Sequence, residues 1–246
     1  EVIQADAMHY LPPEPVDVVI CEMLHTGLLR EKQLPVIDSF KQRYLEKFGG
    51  PLPFSFKLNT SDLLPGTLAL GSVISGNVTE IGEQHLFTFN GSAGQRIYFD
   101  SQDADGEQIY TRLVAPSGAF AWDFTLESSD IGPITLIENG IYTLVVDGSG
   151  PTVGDFRFRI LDLAASAPLT LGPTTTVTLN PSTAAQAYQY NGVAGQRLSF
   201  NSLSATVNQA NWRLLGPANQ VVAGAANITA DLPDVVLPVT GNYVLL

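Results

Sequence analysis

Cysteine is almost absent from the sequence. Cys21 is the only one in 246 residues. No intramolecular disulfide can form, and a cysteine-based zinc site has too few ligands. Basic residues are also scarce: 12 Lys and Arg stand against 24 Asp and Glu, a formal net charge of −12. Gripping a phosphate backbone takes clustered Lys and Arg, so nucleic acid is not an expected partner. No run of 18 apolar residues occurs, so no membrane span is expected. His85 is the only histidine after residue 53, and neither a Gly-x-Ser-x-Gly elbow nor a glycine-rich phosphate loop occurs there. Initiating Met and signal peptide are missing at Glu1, and Leu246 falls inside a strand-like run. Both ends read as cut, and the chain as a fragment. With 45% hydrophobic and 15% charged residues, the chain can still bury cores and is not disordered by composition.

What is present is a duplication. Residues 87–101, Phe-Thr-Phe-Asn-Gly-Ser-Ala-Gly-Gln-Arg-Ile-Tyr-Phe-Asp-Ser, return at 188–202 as Tyr-Gln-Tyr-Asn-Gly-Val-Ala-Gly-Gln-Arg-Leu-Ser-Phe-Asn-Ser. The offset of 101 residues persists: Arg112–Pro116 returns at Arg213–Pro217, and Gly140–Leu144 at Gly241–Leu245. A gapless register this long means two copies of one domain-sized unit.

Each copy reads as all-β, with strand signals every 8–12 residues or so. In the first copy, strands are expected over Leu68–Val78, Gln84–Phe89, Gln95–Phe99, Ile109–Val114, Ile141–Val146 and Phe156–Ile160. Asn90–Gly94 is turn chemistry. Phe156, Phe158 and Ile160 alternate with Arg157 and Arg159, giving one buried and one wet face. Residues 66–163 form the first β-sandwich and 164–246 the second, with 54–65 and Ala164–Thr170 as linkers. The counterpart of Asp155–Leu161 would fall after Leu246, so the second sandwich is expected to lack its final strand. That leaves an unpaired edge open to self-association. Positions kept in both copies, such as Gly94/Gly195, Arg96/Arg197 and Tyr142/Tyr243, read as architectural. Trp122 and Trp212 are core residues or, as the alternative, a sugar platform.

One loop concentrates acid: Asp100, Asp103, Asp105 and Glu107. Asp103-Ala104-Asp105-Gly106 is similar to part of a calcium loop, although the twelve-residue ligand spacing is missing. These four are calcium candidates; the alternative is an ordinary acidic surface loop.

The turn Asn-Gly-x-Ala-Gly-Gln-Arg, a Pro turn and Gly-x-Tyr-x-Leu together resemble the bacterial pre-peptidase C-terminal domain family. The resemblance covers most of residues 66–246 and implies tandem jelly-roll-like β-sandwiches. It also implies an extracellular or cell-surface setting and a non-catalytic role in binding, secretion or adhesion, with a protein or glycan as ligand.

The first 53 residues differ. Val16–Cys21 fits a buried parallel strand, and Val36, Ile37, Phe40, Tyr44, Leu45 and Phe48 suggest an amphipathic helix over Leu34–Phe48, stopped by Gly49-Gly50. The loop between them carries Glu22 and Glu31, nine apart. Two carboxylates past a strand's C-terminal end can grip a guanidinium, or can be solvated loop charges. This stretch resembles class I S-adenosylmethionine-dependent methyltransferases, most closely the protein arginine methyltransferases. The resemblance implies a substrate-arginine role for Glu22 and Glu31, and places Asp6 near the cofactor's adenine. The family's glycine-rich cofactor turn is missing, so no cofactor is expected; S-adenosylmethionine belongs to the alternative reading, an enzyme of which only the substrate loop survives. Relatives of this segment are cytoplasmic. The conflict of compartments suggests a fusion near Pro53.

Overall fold

A computed structural model describes residues 10–14, 33–49, 66–103, 107–206, 210–225 and 227–246. The chain divides into two compact units, Glu1–Thr60 and Ser61–Leu246. The expected strand Val16–Cys21 lies outside the described residues.

In the first unit the expected helix forms as α1 (Gln33–Phe48). Phe40, Tyr44 and Phe48, spaced four apart, stack along one side with ring centroids 5.8 and 4.7 Å apart. Gly49 ends it at φ +65°, its N–H returning to the Leu45 carbonyl at 2.9 Å. A left-handed residue here is cheapest as glycine. No helix among the described residues is long and apolar enough to cross a membrane.

The second unit holds both repeats. Repeat 1 contributes β1 (Gly66–Thr67), β2 (Ile74–Val78), β3 (Gln84–Gly91), β4 (Arg96–Ser101), β5 (Ile109–Val114), β6 (Phe120–Leu126), β7 (Ile131–Thr135), β8 (Gly140–Gly148) and β9 (Gly154–Asp162). They form a five-stranded sheet, β1-β3-β8-β5-β6, and a four-stranded sheet, β2-β9-β4-β7. The inward sides of both meet in one core containing Leu113, Tyr142 and Leu144 from the first sheet and Ile97, Phe99, Phe156, Phe158 and Ile160 from the second. This is a β-sandwich. Alternation in β9 sets its facing: Phe156, Phe158 and Ile160 are buried.

Repeat 2 contributes β10 (Ala167–Pro168), β11 (Tyr188–Gly192), β12 (Arg197–Phe200), β13 (Trp212–Leu215), β14 (Val221–Ala225), β15 (Leu232–Val236) and β16 (Gly241–Leu245). The stretch read as a linker therefore contains a 3₁₀ turn, Leu163–Ala165, and β10, which pairs parallel with β11. Of the expected opening strand Leu68–Val78 only Ile74–Val78 forms, as β2, and β1 lies just ahead of the expected span. The offset survives in the pairing itself. Phe87 faces Leu144 and Tyr188 faces Leu245; Arg96 faces Thr135 and Arg197 faces Val236. The sheets are β10-β11-β16-β13-β14 and a two-stranded β12-β15.

Two devices recur. The Tyr142 hydroxyl donates to the Glu138 carbonyl and accepts from the Glu138 N–H, both at 3.1 Å. Tyr243 does the same with Val239, at 2.6 and 3.3 Å. The glycine of each Asn-Gly turn is required by space. A Cβ on Gly91 would lie 2.6 Å from Tyr142, and one on Gly192 2.3 Å from Leu237. The tryptophans are core residues, not a platform: Trp122 packs on Phe99 at 5.8 Å and Trp212 on Phe200 at 3.9 Å. The two phenylalanines are counterparts, but the indoles come from neighbouring strands, β6 in one repeat and β13 in the other.

Candidate functional site

β4 is buried on both faces, from Ile97 to Ser101. Ile97 and Phe99 point into their own sandwich, whereas Tyr98 and Asp100 point out to the seam with repeat 2. There Tyr98 and Leu163 pack with Ala187, Leu215 and Val244 as one apolar cluster. The seam's polar groups are ordered around it. Asp100, fully buried, accepts from Arg159 Nε and from the Ala185 N–H at 2.7 Å, while Arg159 also donates to the Ala185 carbonyl. The Tyr98 hydroxyl donates to Asp130 Oδ2 and accepts from Arg213, both at 2.9 Å. Asp130 Oδ1 accepts from the Ser101 N–H at 2.8 Å. Arg96 donates to Asn219 Oδ1 at 2.6 Å, to the Gly216 carbonyl at 3.0 Å and to the Asn242 carbonyl at 3.3 Å.

Burial controls the titration of these groups. It raises the Asp130 carboxyl and the Tyr98 phenol, the latter assisted by the Asp130 charge, and lowers the Arg96 guanidinium. Tyr98 therefore stays protonated as a donor. The arrangement is a lock between the two repeats, in which Arg96, Asp100, Asp130, Arg159 and Arg213 all have partners.

Three of the four acids proposed for calcium, Asp100, Asp103 and Glu107, lie among the described residues. Asp100 belongs to the seam. Glu107 Oε2 accepts from the Asp155 N–H at 3.0 Å. The Asp103 N–H donates to Ser101 Oγ at 3.4 Å. Asp105 lies outside the described residues, as do Glu22, Glu31 and Asp6. Among the described residues no three His, Cys, Asp or Glu side chains gather as a metal-ligating group.

Glu127, just past β6, is a residue that sequence reasoning missed. It is 1% exposed and accepts from the Arg157 N–H at 3.1 Å. Burial, with a further push from the Asp103 carboxylate, raises its carboxyl to about 8. A glutamate after an apolar strand reads as solvated, so no sequence signal marked it.

The outer face of β5 and β6 differs from the seam. Alternation in β5 turns Tyr110 and Arg112 outward. Phe124 adopts φ +48°, next to a register shift in the β5–β6 pairing. Its ring stacks on Tyr110, centroids 4.0 Å apart and planes 14° off parallel, yet the residue is 54% exposed. Arg112 stands beside it, 3.9 Å from Asp123 and 3.8 Å from Asp147. A left-handed phenylalanine holding an apolar ring in water is strained twice over. Nearby, Phe120 borders a shallow groove of about 170 Å³ lined by Ala115, Ile134, Leu136 and Tyr142.

No protein-family model matches the sequence, and no curated protein does. Among solved structures, the chain is similar to the pre-peptidase C-terminal domain of a collagenase from Bacillus anthracis, at 17% identity over 39% of this chain and 93% of that one, with a TM-score of 0.32.

Proposed function

We propose that the tandem sandwiches form a non-catalytic module, extracellular and of the pre-peptidase C-terminal type, that binds glycan and spaces its neighbours. The observation that carries the binding reading is the Tyr110–Phe124 stack. An exposed flat ring beside paired Arg and Asp groups matches a sugar, which offers C–H faces to an aromatic and hydroxyls to charged partners. The spacer reading rests on duplication. What the repeats share is the tyrosine lock and the glycine turn, and the strongest polar groups of repeat 1 are engaged at the seam. The test is a glycan array probed with the full chain and with Phe124→Ser, on an exposed ring whose removal leaves the core untouched. Retention of selected glycans by the wild-type chain, with at least tenfold weaker retention by Phe124→Ser, is expected. Equal retention by both, or binding only on a protein array, would overturn the glycan reading.

A further inference from the structure

The two repeats build the same pair of strands differently. In repeat 2, β13 and β14 run in step around Arg213, which faces Gly224. In repeat 1 the pairing slips: Thr111 faces Thr125 and Leu113 faces Trp122, so Arg112 stands opposite two residues, Asp123 and Phe124. One extra residue in β6 makes this a β-bulge, which re-aims the side chains it carries. Here it brings an acid towards Arg112 and a ring onto Tyr110. At the offset of 101, Tyr110 and Phe124 correspond to Asn211 and Ala225, so repeat 2 has no such stack.

Arg213 shows what an arginine at this place in the fold does when a partner covers it. It donates to the Tyr98 hydroxyl at 2.9 Å, and its guanidinium lies 5.5 Å from the centre of that ring. Arg112, its counterpart, points out from the matching face of repeat 1. Asp123 and Asp147 lie 3.9 and 3.8 Å away, close enough to attract and too far to accept a hydrogen bond. Among the described residues no acceptor takes the N–H groups of Arg112, and the half-exposed Asp123 carboxylate accepts no hydrogen bond. Asp147 accepts from Gln84 at 2.8 Å and is held in place by it. Open donors and open acceptors therefore stand side by side, next to an exposed ring.

Granting the glycan reading, on which this step rests, we infer that this face of repeat 1 selects neutral, diol-bearing sugars, Arg112 donating to one hydroxyl oxygen and Asp123 accepting from the hydroxyl beside it. A diol offers an acceptor and a donor on neighbouring atoms, which matches a guanidinium next to a carboxylate. A uronate or sulfate group offers acceptors alone. It would also bring a negative charge up to two carboxylates and one guanidinium, on a chain of net charge −12. Repeat 2 lacks the bulge, the rings and the acid at Asp123, and its arginine is engaged at the seam, so the chain carries one such site.

The test measures the affinity of the full chain for four oligosaccharides of equal length at low salt. Malto- and cello-oligosaccharides carry a free diol on every unit. A chito-oligosaccharide replaces one hydroxyl of that diol by an acetamide, and an oligogalacturonate keeps the diol but adds a carboxylate. The wild-type chain is expected to bind one of the first two about tenfold more tightly than either of the others. Arg112→Gln is expected to weaken that binding about tenfold. Asp123→Asn is expected to narrow the preference for neutral over acidic chains, a ratio that a merely structural Arg112–Asp123 pair would not move and that decides alone if Arg112→Gln lowers the melting temperature. Arg197→Ala, on repeat 2, is expected to bind as wild type does. Equal or tighter binding of the chito-oligosaccharide or the oligogalacturonate by wild type would overturn the inference. So would binding that a fully folded Arg112→Gln leaves unchanged, or a ratio that Asp123→Asn leaves unchanged. In each of these cases a loss of binding in Phe124→Ser still upholds the ring platform, whereas a wild-type chain that binds none of the four overturns the inference and the glycan reading together.

Discussion

Arg96 of the first sandwich donates Nε–H to Asn219 Oδ1 of the second at 2.6 Å, whereas Arg197, its counterpart, is exposed on the surface. The same residue, in the same turn motif, is a joint in one copy and a surface charge in the other. Arg96→Ala is expected to cost about 1–3 kcal/mol through lost charge-assisted bonds, while Arg197→Ala stays within about 0.5 kcal/mol of wild type. Urea unfolding of the two variants side by side checks this.

The glycine of the Asn-Gly turn should resist even a methyl group. Gly91→Ala and Gly192→Ala place a Cβ against buried Tyr142 and Leu237, and each is expected to cost about 1–3 kcal/mol. Gly94→Ala meets nothing within 4 Å but must hold φ +86°, so about 1 kcal/mol is expected from the backbone alone. Melting temperatures of the three variants should rank accordingly.

Asp100 separates a structural from a metal role. Asp100→Ala leaves Arg159 without its carboxylate beside the Ala185 peptide and is expected to cost about 3 kcal/mol. The difference between wild type and variant should be the same with calcium and with chelator, because Asp100 points to the seam; a ligand's loss would show only with calcium present. Thermal melts with and without calcium, and with chelator, test this directly.

Stability should fall as pH rises. The Glu127 carboxyl is raised to about 8 in the folded chain. Below the ordinary carboxylate range both folded and unfolded chains hold this proton, and its contribution is whole. Above that range the unfolded chain releases the proton first, so stability is lost progressively until pH passes about 8, then levels off. Asp130 and Asp147, also raised by burial, act in the same direction. Urea midpoints measured across this range should show a negative slope that Glu127→Gln reduces.

Much of the fold was legible because it is local. Alternation exposed β3, β5 and β9, the shared turn exposed the duplication, and a three-and-four spacing exposed α1. Two strands escaped. β7 contains Gly132-Pro133, which reads as a turn, and β6 breaks alternation at Phe124. The seam was illegible for a different reason. Arg96 and Asn219 are 123 residues apart, and periodicity carries no information about which outward face another sandwich will cover. Asp100 therefore read as a surface acid although it is fully buried. The Tyr110–Phe124 stack escaped because a positive φ at phenylalanine has no sequence signature.

β9 is the last strand of repeat 1 to be synthesised, yet it lies inside its sheet, between β2 and β4. A nascent chain cut short before Phe156 holds β2 and β4 with nothing to join them. The first sandwich therefore stays an unclosed clamp on the ribosome until its last nine residues emerge. Translation speed across that stretch sets how long its aromatic interior stands open to aggregation.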